Sequence, residues 1–373
     1  MNLSNGDRKI RYAVVGLGWI AQEAILPSFK HAKKNSKLVA LVTDNPTKSA
    51  ELGKEYNVDH VISYEEYDDF LKRGQVDAVY IALPNNMHCD FTVRTARAGV
   101  HVLCEKPMAD TSAECEQMMQ ACEQGNVKLM IAYRLHFEPS NLRAISVVNS
   151  GDIGEPRIFS SVFTQQVEEG NVRLKKGLGG GPLMDMGVYC INAARYLFRA
   201  EPTEVFAAGA NNGEPRFNEV HEMASVIMRF PGERLATFTC SFGAAPVDTY
   251  EVAGTKGSLR LLPAYSYHGD MKLTVKRGDK EDEQSISQHD QFGAEILYFS
   301  QCLLDGSEPE PGGREGLADV RVVEAILKSM RSGQPVKLEA YDVPNRPDER
   351  QKIELRAVKP PEVVEAESPT GKQ

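Results

Sequence analysis

A short apolar run, Tyr12-Ala-Val-Val, ends on Gly16-Leu-Gly18-Trp-Ile-Ala21 and passes straight into an amphipathic stretch. Few folds accommodate that spacing. The first glycine allows a tight turn, the second lets a ligand approach the backbone, and the small third residue lets a helix sit down on a sheet. The residues behind it repeat the theme. Apolar β-branched runs at 10–15, 38–42, 79–83, 100–103 and 128–132 alternate with helical stretches at 20–33, 46–56, 64–71, 88–98 and 112–124. Such alternation predicts βαβ units, and hence an α/β domain with a doubly wound parallel sheet of Rossmann type.

The pattern changes after a helical stretch at 139–148. Extended runs at 203–208, 224–230, 235–241, 250–253, 258–262 and 271–275 follow one another through short turns such as Pro231-Gly232. No helices separate them, so an antiparallel meander is expected. The C-terminal domain is then α+β, built on a large, mostly antiparallel, open-faced sheet with helices at 291–304 and 314–331 on one face. The 373 residues divide into a Rossmann domain at 1–137, a substrate-binding and oligomerisation domain at 138–345, and a Pro-, Glu- and Lys-rich tail at 346–373. With few apolar anchors, that tail is expected to be loosely ordered.

Charge narrows the partners. Forty-three Lys and Arg stand against 52 Asp and Glu, a net charge of −9, which argues against nucleic acid or an anionic membrane as partner and leaves a small molecule. No stretch reaches the roughly 18 apolar residues of a membrane span, and the N-terminus lacks the apolar core of an export signal, so a cytoplasmic location is expected. The seven cysteines never form Cys-x-x-Cys. Reduced core thiols are expected, and no metal site.

The glycine motif predicts a dinucleotide whose phosphates lie at a helix N-terminus against Gly16, Leu17, Gly18, Trp19 and Ile20. The end of the second strand, Thr43-Asp-Asn-Pro-Thr-Lys48, decides which one. A hydroxyl at Thr43 with Lys48 one turn into the helix suits the 2′-phosphate of NADP. If the strand runs one residue further, Asp44 takes the ribose hydroxyls and the cofactor is NAD.

Two further segments carry chemistry. Cys104-Glu105-Lys106-Pro107 follows the strand at 100–103, and ligands of a parallel sheet bind beyond the carboxyl ends of its strands, so Lys106 would project at the cofactor. Gly179-Gly-Gly-Pro-Leu-Met-Asp185-Met-Gly-Val-Tyr189 leads into a helix with Asp185 and Tyr189 four apart, on one face. One could donate a proton and the other orient it. Alternatively, Asp185 caps the helix and Tyr189 is a half-buried core ring.

Together with Leu83-Pro84-Asn85-x-x-His88 and Tyr133-Arg134-x-His136-Phe137, these segments resemble the glucose–fructose oxidoreductase, inositol dehydrogenase and rhizopine-catabolism family of NAD(P) sugar dehydrogenases. The likeness is to the glucose–fructose oxidoreductase branch, because many other members carry histidine where this chain has Tyr189. The resemblance implies that Lys106 stabilises charge on the sugar's reacting oxygen, Tyr189 exchanges its proton, and Asp185 holds a sugar hydroxyl. It implies cofactor contacts at Tyr64, Leu83, Pro84, Asn85, His88, Glu105, Lys106, Arg134 and Arg173, and a homodimer or homotetramer formed through the C-terminal sheet.

An aldose would then lose hydride from C1, with NADP either released or kept for an aldose–ketose reaction. About ten residues precede the first strand, too few for the N-terminal arm by which exported relatives embrace a neighbour's cofactor. Some relatives of this fold are regulators that sense dinucleotide and catalyse nothing; loss of the lysine or of the Asp/Tyr pair would mark them, and both are present.

Overall fold

The computed structural model describes residues 8–371. Strands β1 (Ile10–Val15), β2 (Ser36–Val42), β3 (His60–Ile62), β4 (Ala78–Ile81), β5 (His101–Glu105) and β6 (Leu129–Ala132) form one sheet in the order β3-β2-β1-β4-β5-β6. All its pairings are parallel. The order reverses between β1 and β4, and the crevice at that switch point is where an open α/β sheet binds its ligand. Strand β3 is an addition to the predicted set, too short at three residues to show a period.

Helices cover both faces. The stretch at 20–33, expected as one helix, is a π-type turn over Ala21–Ile25, a short α1 (Leu26–Ser28) and a 3-10 turn over Ala32–Lys34. Pro27 lacks an N–H and interrupts the ladder. Helices α2 (Pro46–Tyr56), α3 (Tyr67–Leu71), α4 (His88–Arg97) and α5 (Ser112–Gln124) follow the expected plan. Asn45 caps α2 by accepting from the Lys48 N–H, and Thr111 with Glu114 forms a capping box on α5.

Helix α6 (Pro139–Asn149) leads into a nine-stranded sheet. Its strands are β7 (Pro156–Gln166), β8 (Glu204–Ala210), β9 (Met223–Phe230), β10 (Arg234–Ser241), β11 (Gly243–Gly254), β12 (Gly257–Leu262), β13 (Met271–Arg277), β14 (Lys280–Ile286) and β15 (Val336–Lys337). They lie in the order β14-β13-β12-β11-β7-β10-β9-β8-β15. The expected simple meander is corrected here: β7 sits in the middle and pairs parallel with β10, the one parallel pairing in this sheet among the described residues. Strand β9 shows the logic of such a sheet, with Ala224, Val226, Met228 and Phe230 buried and their neighbours outward.

Helices α6, α7 (Val188–Phe198), α8 (Gln291–Asp305) and α9 (Gly313–Ser332) complete the fold. One face of the large sheet carries α6, α7 and α9, and the other stays open, exposing Ile158, Phe206, Ile227 and Leu235. No helix among the described residues is long and apolar enough to cross a membrane. All seven cysteines are free and buried.

The tail at 346–373, expected to be loosely ordered, has little regular structure and is hydrogen-bonded at intervals along its described residues. Gln351 donates to Glu310, the Leu355 carbonyl accepts from Asp290 N–H, Val364 pairs with Gln22, and the Pro369 carbonyl accepts from Glu168 N–H.

Candidate active site

The site assembles at the carboxyl ends of β1, β2, β4 and β5. Strand β1 stops at Gly16, whose φ of +87° and position 2.6 Å (as a would-be Cβ) from the Ala82 carbonyl oxygen admit glycine alone. Gly18 faces open space, while buried Ala21 lets the following turn lie on the sheet. Leu17 is buried, and Trp19 and Ile20 are half-buried.

Strand β2 ends at Val42, so Thr43 is the first residue beyond it. Its Oγ1 accepts from Asn45 N–H at 3.2 Å. Asp44 turns outward, its Oδ1 accepting from Tyr64 N–H at 2.8 Å. Lys48 is half-buried; burial lowers its pKa and Glu365 opposes that shift. The Tyr64 ring lies edge-on to Phe91 at 5.7 Å.

After β4, Leu83, Pro84 and Asn85 form the next lip, and Asn85 Nδ2 donates to the Gly179 carbonyl at 2.7 Å, joining that lip to the glycine-rich turn. His88 behaves differently from its expected place beside the adenosine. It is fully buried, with its ring nitrogens 2.9 Å from the carbonyl oxygens of Leu83 and Pro107. It braces two lips from beneath.

Lys106 follows β5 and precedes a cis Lys106–Pro107 bond. Its Nζ donates to the Asp185 side-chain Oδ1 and backbone carbonyl, both at 3.0 Å, and lies 4.6 Å from the centre of the Tyr189 ring. The chain takes a π-type turn over Leu183–Gly187 before α7, which brings Asp185 against Lys106 while Tyr189 starts the helix proper. Arg173 also lies here, its Nε donating to Asp185 Oδ2 at 2.8 Å. Burial pushes the Asp185 pKa up, but Arg173 and Lys106 outweigh it and hold the carboxylate well below its ordinary range. Burial likewise works against the Lys106 charge, and Tyr189, Asp185 and Glu105 restore it.

Arg134 is buried, donating to Gln291 and the Tyr265 carbonyl, with its guanidinium 5.0 Å from the Tyr189 ring centre. Two cations therefore lie within 5.0 Å of the Tyr189 ring centre. Beneath them, Tyr80 bridges two carboxyls, Glu105 Oε1 at 2.9 Å and Glu295 Oε1 at 2.7 Å. One hydroxyl has one proton to give, so one carboxyl must itself be protonated. Burial and Glu105 raise Glu295 well above the ordinary range, which makes it the neutral partner. Sequence reasoning missed Tyr80 and Glu295. They are 215 residues apart, and a Glu in an amphipathic helix reads as a surface charge.

Two patterns in the chain match known families. Residues 10–133 match the GFO/IDH/MocA oxidoreductase family's NAD-binding Rossmann fold, and residues 141–260 its C-terminal domain. The chain belongs to the GFO/IDH/MocA oxidoreductase family. A D-xylose 1-dehydrogenase [NADP(+)] from Haloarcula marismortui is 32% identical, over 89% of this chain and 94% of that one. The crystal structure of an aldose-aldose oxidoreductase from Caulobacter crescentus, complexed with glycerol, superposes with a TM-score of 0.85 at 39% identity, covering 89% of this chain and all of that one. A 3-ketoreductase from Actinomadura kijaniata, in complex with NADP and TDP-benzene, gives 0.80 at 26% identity over 86% and 98%. The chain is thus an NAD(P)-dependent sugar oxidoreductase.

Proposed function

We propose that this enzyme is NADP-dependent and oxidises an aldose at C1. The observation that carries the reading is the Lys106–Asp185 pair set against the Tyr189 ring at the carboxyl end of β5. Gly16 and Gly18 fit a pyrophosphate, and Thr43 with Lys48 fits a 2′-phosphate better than a free ribose, since Asp44 is engaged by Tyr64. NADP, when bound, supplies the nicotinamide C4 that accepts hydride from the sugar's C1.

The remaining work falls to side chains. Lys106 has three N–H donors and uses two on Asp185. The third addresses the sugar oxygen and stabilises the charge that grows on it. Tyr189, with Lys106 and Arg134 both close to its ring, takes the hydroxyl proton as general base. Asp185, kept ionised, accepts a hydrogen bond from a neighbouring sugar hydroxyl and with Arg173 fixes the lysine. Leu83, Pro84, Asn85 and Tyr64 would line the adenosine side, and Glu105 would face the nicotinamide. Whether NADP is released between turnovers or retained for an aldose–ketose exchange is read directly by denaturing the purified protein and weighing any dinucleotide set free.

The open sheet face supports a homodimer or homotetramer, since Ile158 pairs with Leu235 and Phe206 with Ile227 in adjacent apolar pairs on that face. Light scattering of the native protein tests it. Seven buried free thiols accord with a reducing, cytoplasmic location. The test of the chemistry is turnover of aldoses with NADP by the native enzyme and by Tyr189→Phe and Lys106→Met; full turnover in both variants contradicts it.

A further inference from the structure

The C-terminal segment reaches the very lip where the 2′-phosphate is placed. Val364 pairs reciprocally with Gln22, whose Nε2 donates both to the Val364 carbonyl and to the Leu17 carbonyl of the phosphate loop, each at 2.9 Å. The return bond runs from Val364 N–H to Gln22 Oε1 at 2.7 Å. The next residue, Glu365, adopts a φ of +45°, a left-handed conformation that a glutamate rarely takes without something to hold it. Its carboxylate accepts from Asn45 Nδ2 at 2.7 Å and faces Lys48. Four residues later, the Pro369 carbonyl accepts from Glu168 N–H, in the loop that leads to Arg173. Four residues span at most about 14 Å. The chain therefore straps the phosphate loop and α2 to the loop that leads to Arg173.

The anchor at Asn45 and Lys48 has a chemical meaning. Asn45 caps α2, so its amide, the helix N-terminus and Lys48 together present positive charge to one anion. Glu365 supplies that anion from 320 residues away in the chain. We propose that Glu365 is a cofactor-specificity residue: its carboxylate takes the place of the 2′-phosphate, NADP must displace it and unlatch the strap at that end, and NAD leaves it latched. This rests on the assignment of Thr43–Lys48 to the adenosine 2′ position. The enzyme then binds NADP with an affinity reduced by the fraction of molecules whose strap is closed.

Removing the carboxylate should relieve that competition for one dinucleotide alone. Binding of NADPH and NADH to the native full-length enzyme, Glu365→Gln and Glu365→Ala is followed by cofactor fluorescence, and amide exchange of residues 362–371 is followed in parallel. Expected are about three-fold tighter NADPH binding in both variants, the scale of an exposed ion pair, no change for NADH, and loss of protection at Val364 when NADPH but not NADH is added to the native enzyme. Weaker NADPH binding, equal shifts for both cofactors, or Val364 protection that NADPH leaves intact would overturn the inference. A native enzyme that binds neither dinucleotide would overturn the site assignment as well, and is told apart by silence in native and variant alike.

Discussion

Helix α7 carries a charge cluster at each end, one buried and one half-buried, and only one of them is a site. At its C-terminal end Arg195 is completely buried and has five N–H donors, all of them used: two on Glu201, two on Glu315 and one on Asp319, at 2.5–3.1 Å. Arg346 donates to Glu201 as well, so the cluster is tied into the C-terminal segment. At the N-terminal end Lys106, Arg173 and Asp185 meet in the same way, but Lys106 keeps a donor in reserve and Asp185 is 22% exposed to the cleft. A saturated cluster holds elements together. An unsaturated one beside a cleft can hold a substrate.

That contrast predicts opposite responses. Tyr189→Phe should lower kcat by about 10²–10⁴-fold, the range of a lost proton-transfer group, and leave the melting temperature almost unmoved. Lys106→Met should follow at about 10²–10³-fold. Arg195→Met should do the reverse, costing about 3–5 kcal/mol of stability in urea unfolding by taking the cation from two buried carboxyls, Glu315 and Asp319, while kcat per folded molecule holds. A stable Arg195→Met variant with damaged kcat would erase the distinction between the two clusters.

Smaller effects sharpen it. Thr43→Asp places a carboxylate beside the 2′-phosphate and should shift the NADPH/NADH affinity ratio toward NADH by about ten-fold. Asp110 lies near the glycine-rich turn with a buried Oδ1 that has no partner, and burial, with Glu114, pushes its pKa up to about 6. A carboxyl whose folded pKa exceeds the unfolded value of about 3.9 favours the fold when protonated, so stability declines as pH rises between those values. Asp110→Asn should therefore raise the melting temperature at pH 8 and leave it unchanged near pH 4.

Much of this was legible in the residues, and the reasons are physical. Parallel strands buried on both faces read as continuous apolar runs, and β9 alternates strictly because one face is wet. Lys106 and the Asp185–Tyr189 pair stood out because they occupy strand and helix ends. Strand β7 escaped because its exposed positions are Arg157, Ile158, Ser160 and Gln166, giving no clean alternation. Strand β14, Lys280–Ile286, is an exposed charged edge with almost no apolar signal. Glu295 and Glu365 escaped for a different reason. Each gains its meaning from partners hundreds of residues away, which no local pattern records.

The most direct test of the central claim follows one atom. An aldose deuterated at C1 is turned over by the native enzyme with NADP, and the reduced cofactor is isolated and weighed. Direct transfer at the Lys106–Asp185–Tyr189 site predicts deuterium at nicotinamide C4 in stoichiometric amount, lost in proportion to rate in Tyr189→Phe. Unlabelled NADPH, or label that arrives equally fast without Tyr189, would contradict it.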